Sequence, residues 1–300
     1  MFPSSAMGLP QSLKFDLPPS MSDSARSYSV NVAPDGITQV AGTLTSISHS
    51  AAVSVQSPFS SQNVSFTIPS GMSDSVFMDC ANTTVSFTLS YTVSTALSAT
   101  AGVTKLLGSA SSWFDALTLY SNNTPVETIN QYGLLSNFLL QNTVNLSERN
   151  GGIGVCMGAD VNSANGIDLG TAIGSYRYSF CVPLLIGINT DKFFPIGSVN
   201  NMQLVMTTAA TTPIVCYNTA VATNIVLSVA PSLSEFRLNL KYIDVGDQAA
   251  AMLRQTLQDG KWFIKSSTYT NSAVTIPTGA QGAQQLLLQI RNSSVKSVYH

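Results

Sequence analysis

Charge is the first thing this chain lacks. Asp, Glu, Lys and Arg make up 9% of its 300 residues, against about 25% in an ordinary soluble domain. No Lys or Arg lies between Arg26 and Lys105, and no formally charged side chain lies from Phe193 to Ser234. The 13 basic residues are scattered, whereas phosphate recognition needs them clustered, so no direct nucleic-acid binding is expected. Histidine is almost missing too: only His49 and His300 occur. A Ser-His-Asp or Cys-His arrangement would rest on His49, which sits in the polar run Ser46 to Ser50 and reads as an exposed loop residue. Neither histidine has a neighbour at ligand spacing. Cys80, Cys156, Cys181 and Cys216 are too far apart for a C-x-x-C zinc or redox motif and read as buried reduced thiols. No run approaches the ~20 apolar residues of a membrane span. The first thirty residues lack the basic start and apolar stretch of a signal peptide. Catalytic, cofactor-binding and metal residues are therefore all assigned as none, and an enzyme is the last reading.

What is present is a large apolar fraction, 44%, with positive mean hydropathy and a net charge of −2. Disorder needs the opposite combination, so the chain folds. A folded surface so poor in charge suits either a permanent assembly, whose interfaces are depleted of Lys, Glu and Asp, or a Ser/Thr-rich β domain outside a cell. The thiols and the absent signal favour the first, with assembly inside the host cell. The dominant sequence period is two. Val85, Phe87, Leu89, Tyr91 and Val93 alternate with Ser86, Thr88, Ser90 and Thr92, as in a strand with one face on a core. The same alternation marks Val64 to Ile68, Leu117 to Leu119, Tyr176 to Phe180, Ile225 to Val229, Phe236 to Leu240, and Leu286, Leu288 and Ile290. Turn formers separate these runs, among them Pro69-Ser70-Gly71, Ser121-Asn122-Asn123 and Asn150-Gly151-Gly152. The fold class is all-β, a β-sandwich or jelly roll. Two stretches break the period. Ile129, Tyr132, Leu135 and Leu139 have helical spacing within Glu127 to Asn142, and Asp247 to Gln258 forms a connector helix stopped by Gly260.

Three further patterns have plain structural readings. Gly152-Ile153-Gly154-Val155-Cys156-Met157-Gly158 has its third glycine one place late for a dinucleotide fingerprint and reads as a loop. Asp160 to Asp168 offers oxygen ligands, but its spacing does not match a calcium loop. Asn63, Asn82, Asn122, Asn145 and Asn292 each begin an Asn-x-Ser/Thr sequon, read as unmodified in the absence of a signal peptide.

From Trp113 onward, SWFDALTLYSNNTPVETINQYGLLSNFLL resembles a passage in double jelly-roll major capsid proteins of polinton-like viruses, virophages and related double-stranded DNA viruses. Its marker is the acidic-Ile-x-x-Tyr helix start, here Glu127-Thr128-Ile129-Asn130-Gln131-Tyr132. Pro183-Leu184, Pro195-Ile196-Gly197 and Met202-Gln203-Leu204 resemble later landmarks of that family, and Leu288 to Ser297 resembles a strand early in its second barrel. The resemblance spans roughly residues 30–300 as order and pattern. It implies a major capsid subunit, trimeric and pseudo-hexagonal in outline, that tiles the icosahedral capsid of a virion. The implied partners are further copies of itself, minor and penton capsid proteins and, through other proteins, an internal virion membrane. The expected layout is an extended Pro-rich arm at 1–28, a first jelly roll at 29–235, and a connector helix opening a second jelly roll at 236–300.

The second barrel is expected to be cut short near His300, since about eight strands complete a jelly roll and 235–300 holds about half of one. A single jelly-roll minor or penton protein is the alternative, and there the same residues would close the first sandwich. A carbohydrate-binding or adhesin β-sandwich is another, needing an exposed aromatic platform. Trp113 and Trp262 could supply one, but each sits beside apolar residues and reads as core.

Overall fold

The structure, a computed structural model, describes residues 25–37, 39–41, 46–47, 49–50, 53–54, 61–93, 102–106, 108–149, 151–159, 168–169, 173–187, 193–218, 225–255, 257 and 267–270. The arm up to residue 24, the loop 160–167, Trp262, His300 and the strand expected at Leu286 to Ile290 lie outside them.

Alternation of apolar and small polar residues makes strands, and their pairing makes two sheets. The main strands are β1 (Arg26–Val32), β2 (Asn63–Ile68), β3 (Thr84–Val93), β4 (Phe114–Ser121), β5 (Thr124–Asn130), β6 (Gly174–Pro183), β7 (Met202–Thr208) and β8 (Ile225–Asp244). Sheet one runs β1-β8-β3-β6 and sheet two runs β2-β7-β4-β5, with antiparallel pairing throughout. Shorter segments lie in line with these strands. Val76–Asp79 continues the β3 side of β8, since Tyr242 faces Met78 and Asn239 faces Thr84. Phe193–Phe194 extends the β6 side, and Gln39–Ala41 and Ser46–Ile47 extend the β1 side. In chain order, strand 1 pairs with 8, 2 with 7, 3 with 6 and 4 with 5. That nesting is the jelly roll, an antiparallel ribbon folded over so that two sheets face each other.

The core lies between the sheets. From sheet one come Val85, Phe87, Leu89, Phe180, Val182, Phe236 and Leu238, all at most 3% exposed. Val64, Phe66, Leu117, Leu119, Leu204 and Met206 answer them from sheet two. Phe87 is the hinge of this layer. Its ring meets Phe114 edge-on at 5.3 Å across the sheets, and lies 5.8 Å from Phe180 and 6.0 Å from Phe236 within its own sheet. Burying such a side chain contributes about 1.5–3 kcal/mol.

The region expected to be helical from Glu127 is corrected: Thr124–Asn130 is a strand, and helix α1 spans Tyr132–Thr143. Asn122 and Asn123 both have positive φ (49° and 60°), which closes the β4–β5 hairpin in the twist that a two-residue loop requires. Pairing of Leu117 with Ile129 then wins over the helical spacing. The helix starts only after Gln131, whose left-handed backbone (φ 51°) turns the chain. The glycine run expected to be a loop contains one helical turn, α3 (Gly152–Cys156), preceded by the short α2 (Leu146–Arg149). The connector helix appears as α4 (Asp247–Gln255). Ala249, Ala250 and Leu253 pack with Phe77 and Val245, so α4 covers one end of the outer face of sheet one. β8 continues through residue 235 to Asp244 without leaving the sheet.

Candidate functional site

The weighed chemical groups do not converge. His49 lies in a two-residue strand, His49–Ser50, paired with Val53–Ser54, where a loop was expected. Among the described residues no three His, Cys, Asp or Glu side chains gather at metal-binding distance, and no helix is long and apolar enough to cross a membrane. The thiols are free but not uniformly buried. Cys80 is enclosed, and burial pushes its thiol up to about 12. Cys181 is half-buried on β6, and Cys156 is exposed at the end of α3, which corrects the reading of all the thiols as buried. Trp113 is 0% exposed, so it belongs to the core and not to a sugar platform.

The strand phases build two outer faces of opposite character. On sheet two, one outer row crosses β5, β4, β7 and β2 as Thr128, Thr118, Val205 and Ser65. The flanking rows are Asn130, Ala116, Thr207 and Asn63, and Pro125, Tyr120, Gln203 and Thr67. None of these side chains is charged. Two carboxylates mark the margins. Asp35 lies beyond β2, accepting a bond from the Thr67 hydroxyl at 2.7 Å, and Asp115 sits in the irregular step that opens β4.

On sheet one, charge sits among the outward Ser and Thr. Arg177 on β6 pairs with Glu235 on β8, which also accepts a bond from the Thr88 hydroxyl at 2.8 Å. Lys241 lies 3.8 Å from Asp79, and Arg237 stands opposite Ser86. Glu235 has a left-handed backbone (φ 56°) at an irregular step in the β8–β3 register. The bulge turns its side chain outward beside Arg177. The guanidinium, and then the Thr88 hydroxyl, hold the Glu235 carboxyl below its usual range.

One carboxylate does go inward. Alternation on β5 puts Glu127 on the inner side with Ile129, 9% exposed. Its Oε2 accepts the Gly187 N–H at 2.6 Å, and its Oε1 has no hydrogen-bond partner. A Cβ on Gly187 would lie 2.7 Å from the Ser267 carbonyl oxygen and 3.0 Å from Glu127 Oε1, so glycine is what lets three segments meet. Nearby, the Tyr132 hydroxyl donates to the Pro183 carbonyl and accepts the Leu185 N–H, both at 3.2 Å. Burial pushes that phenol up to about 12. Together Glu127 and Tyr132 clamp the backbone leaving β6.

Sequence reasoning missed both the inward Glu127 and the sorting of charge between faces. The signal for the second was present in the outward phases of β2, β4 and β7, which read Ser, Thr, Asn, Gln, Ala, Val and Tyr. Which strands share a sheet was not.

No family model matches the sequence, and no curated protein matches it. Solved structures similar to the chain are viral. The Sputnik virophage structure aligns with TM-score 0.42 at 11% identity, over 73% of this chain and 47% of that one. PBCV-1 VP54, fitted into a reconstruction of Sputnik, gives 0.41 at 12% identity over 77% and 45%. The Faustovirus major capsid protein gives 0.39 at 10% identity over 78% and 56%. The chain spans about half the length of these structures.

Proposed function

We propose that the chain is a structural subunit of a virus shell: a major capsid protein that associates as a trimer of pseudo-hexagonal outline and tiles an icosahedral capsid. The observation that carries this reading is the closed 1-8-3-6 and 2-7-4-5 strand nesting, combined with an outer sheet face that bears no charge. Jelly rolls serve viral shells, lectins and cupins. A lectin role needs exposed rings, and Trp113 is enclosed. A cupin needs converging ligands, whereas the carboxylates here are spread over margins, edges and one inner position. Flat neutral walls suit side-by-side packing, where many weak contacts add. In this reading the residues before 29 form an arm, 29–235 the first barrel, and 236–300 the connector and the start of a second. Further partners would be minor and penton proteins.

A second reading, a single jelly-roll penton or minor capsid protein, is favoured by one observation. After α4 the chain returns to the sandwich: Tyr269 packs against its core and the Ser267 carbonyl meets Gly187. Electron microscopy of the expressed full chain tests both. Trimers with hexagonal outline support the first reading and pentamers the second. Stable monomers that bind glycans overturn both.

A further inference from the structure

We propose that the charge-free outer face of sheet two is a self-complementary contact, which packs against the same face of a second copy of this chain. The inference rests on the capsid reading and names the surface and the partner.

Shape comes first. Four strands spaced ~4.8 Å apart, with outer rows ~6.8 Å apart, give a patch of about 400 Å². It is a sheet surface and not a cleft, which suits a protein wall better than a small ligand. Chemistry narrows the partner. The outer rows contain Thr, Ser, Asn, Gln, Ala, Val, Pro and Tyr but no cation, so phosphates and anionic lipid headgroups gain nothing there. Val126, 61% exposed, adds an apolar side chain on β5 beside the patch.

Electrostatic matching then selects the copy's face. The outer face of sheet one would bring Arg177, Glu235, Arg237 and Lys241 against a wall with no ion to answer them. Desolvating unanswered charge is costly. The matching face of a second chain brings no such charge, and its hydroxyls and amides can exchange hydrogen bonds with those opposite. Asp35 and Asp115 remain at the margins in water. The size of the patch sets the strength. A stable interface covers about 800 Å² per partner, so this face alone makes a weak contact, of the kind a shell uses many times.

The test uses the full chain, with sedimentation velocity across concentration and electron microscopy of the same samples. Wild type should self-associate, and raising salt from about 50 to 500 mM should not weaken it, because no ion pair is screened. Thr118→Lys and the more exposed Thr128→Lys should each weaken association at least about tenfold, or 1.4 kcal/mol. Ser90→Lys, on the outer face of sheet one, should change it less than about twofold. Far-ultraviolet circular dichroism checks that each variant folds. The inference is overturned if wild type stays monomeric, if the two sheet-two variants associate like wild type, or if Ser90→Lys weakens association as much as they do. Shells that persist in Thr118→Lys and Thr128→Lys would sink the inference and leave the capsid reading standing. Pairs through this face without shells or capsomers would do the reverse.

Discussion

The two outer faces of the sandwich share a backbone plan and differ in what they can tolerate beside them. Both alternate small polar residues with inward apolar ones. Sheet one sets Arg177, Glu235, Lys241 and Asp79 among its Ser and Thr, while the rows of sheet two hold no charge. Water solvates the first face well. The second loses little when water leaves, because neutral hydroxyls and amides cost far less to desolvate than ions and can be satisfied across an interface. The low charge of the whole chain is therefore not spread evenly. It is concentrated as an absence on one wall.

The most severe way to break the comparison is to remove what holds the walls apart. Phe87→Ala deletes the ring that touches Phe114, Phe180 and Phe236. It should destabilise the fold by about 3–5 kcal/mol, as for other buried aromatics cut to alanine. Urea unfolding followed by fluorescence and circular dichroism should show one shared transition moved to lower denaturant. Two separate transitions would mean that the sheets do not depend on a common core.

Chemical labelling sharpens the contrast without perturbing the fold. Cys181 lies on the outer side of β6 and offers a natural probe of sheet one. Thr118→Cys places a second probe in the middle of sheet two. On assembly, alkylation at position 118 should slow at least about tenfold, while Cys181 keeps more than half its rate; tenfold protection corresponds to about 1.4 kcal/mol of occlusion. Mass spectrometry of peptides from free and assembled protein reads both sites in one sample. Equal protection at the two would erase the distinction between the faces.

A smaller effect is expected where charge has gone inward. Glu127 offers an acceptor to the Gly187 N–H but leaves its other oxygen buried without a partner. Glu127→Gln keeps an acceptor and adds an amide donor near the Ser267 carbonyl. It should stabilise the fold by on the order of 1 kcal/mol, since a buried polar atom gains a partner. Glu127→Leu strands the Gly187 N–H and should destabilise. Chemical denaturation of the pair decides; a loss of stability in Glu127→Gln would show that the carboxylate itself is needed at the junction.

The faces were half legible before any coordinates. Period-two alternation identified β2, β3, β4, β6 and β8, because a strand with one buried side must repeat its pattern every second residue. It also placed Phe87 inside and Ser86 outside. The β5 strand was masked because Ile129, Tyr132, Leu135 and Leu139 fit a helix equally well. Only the Asn122-Asn123 turn, acting through pairing of Leu117 with Ile129, settles it. Sorting of charge between walls depends on β7 joining β4, at a separation of about eighty residues that no local pattern encodes. The Glu127 junction was hidden for the same reason, since Gly187 and Ser267 approach it from distant parts of the chain.

The finest difference concerns Arg177 and Glu235, both well exposed, at 61% and 57%. Solvent screens such a pair, so its contribution is small and falls with salt. Its sign with pH is still fixed. The Glu235 carboxyl is held below its unfolded value, first by the bond from Arg177 and then by that from Thr88. The stabilisation is therefore present above the unfolded carboxylate range, near pH 4.3, and is lost as pH falls through the lower folded value. Wild type should lead Arg177→Ala in melting temperature at neutral pH by a slight margin at low salt. That lead should shrink on acidification below about pH 4 and vanish in high salt at any pH. A lead that grows in acid would mean that Glu235 is not the group answering Arg177. Matching substitutions on the outer face of sheet two, such as Thr128→Ala, should show no acid-dependent lead, because that wall has no ion to titrate.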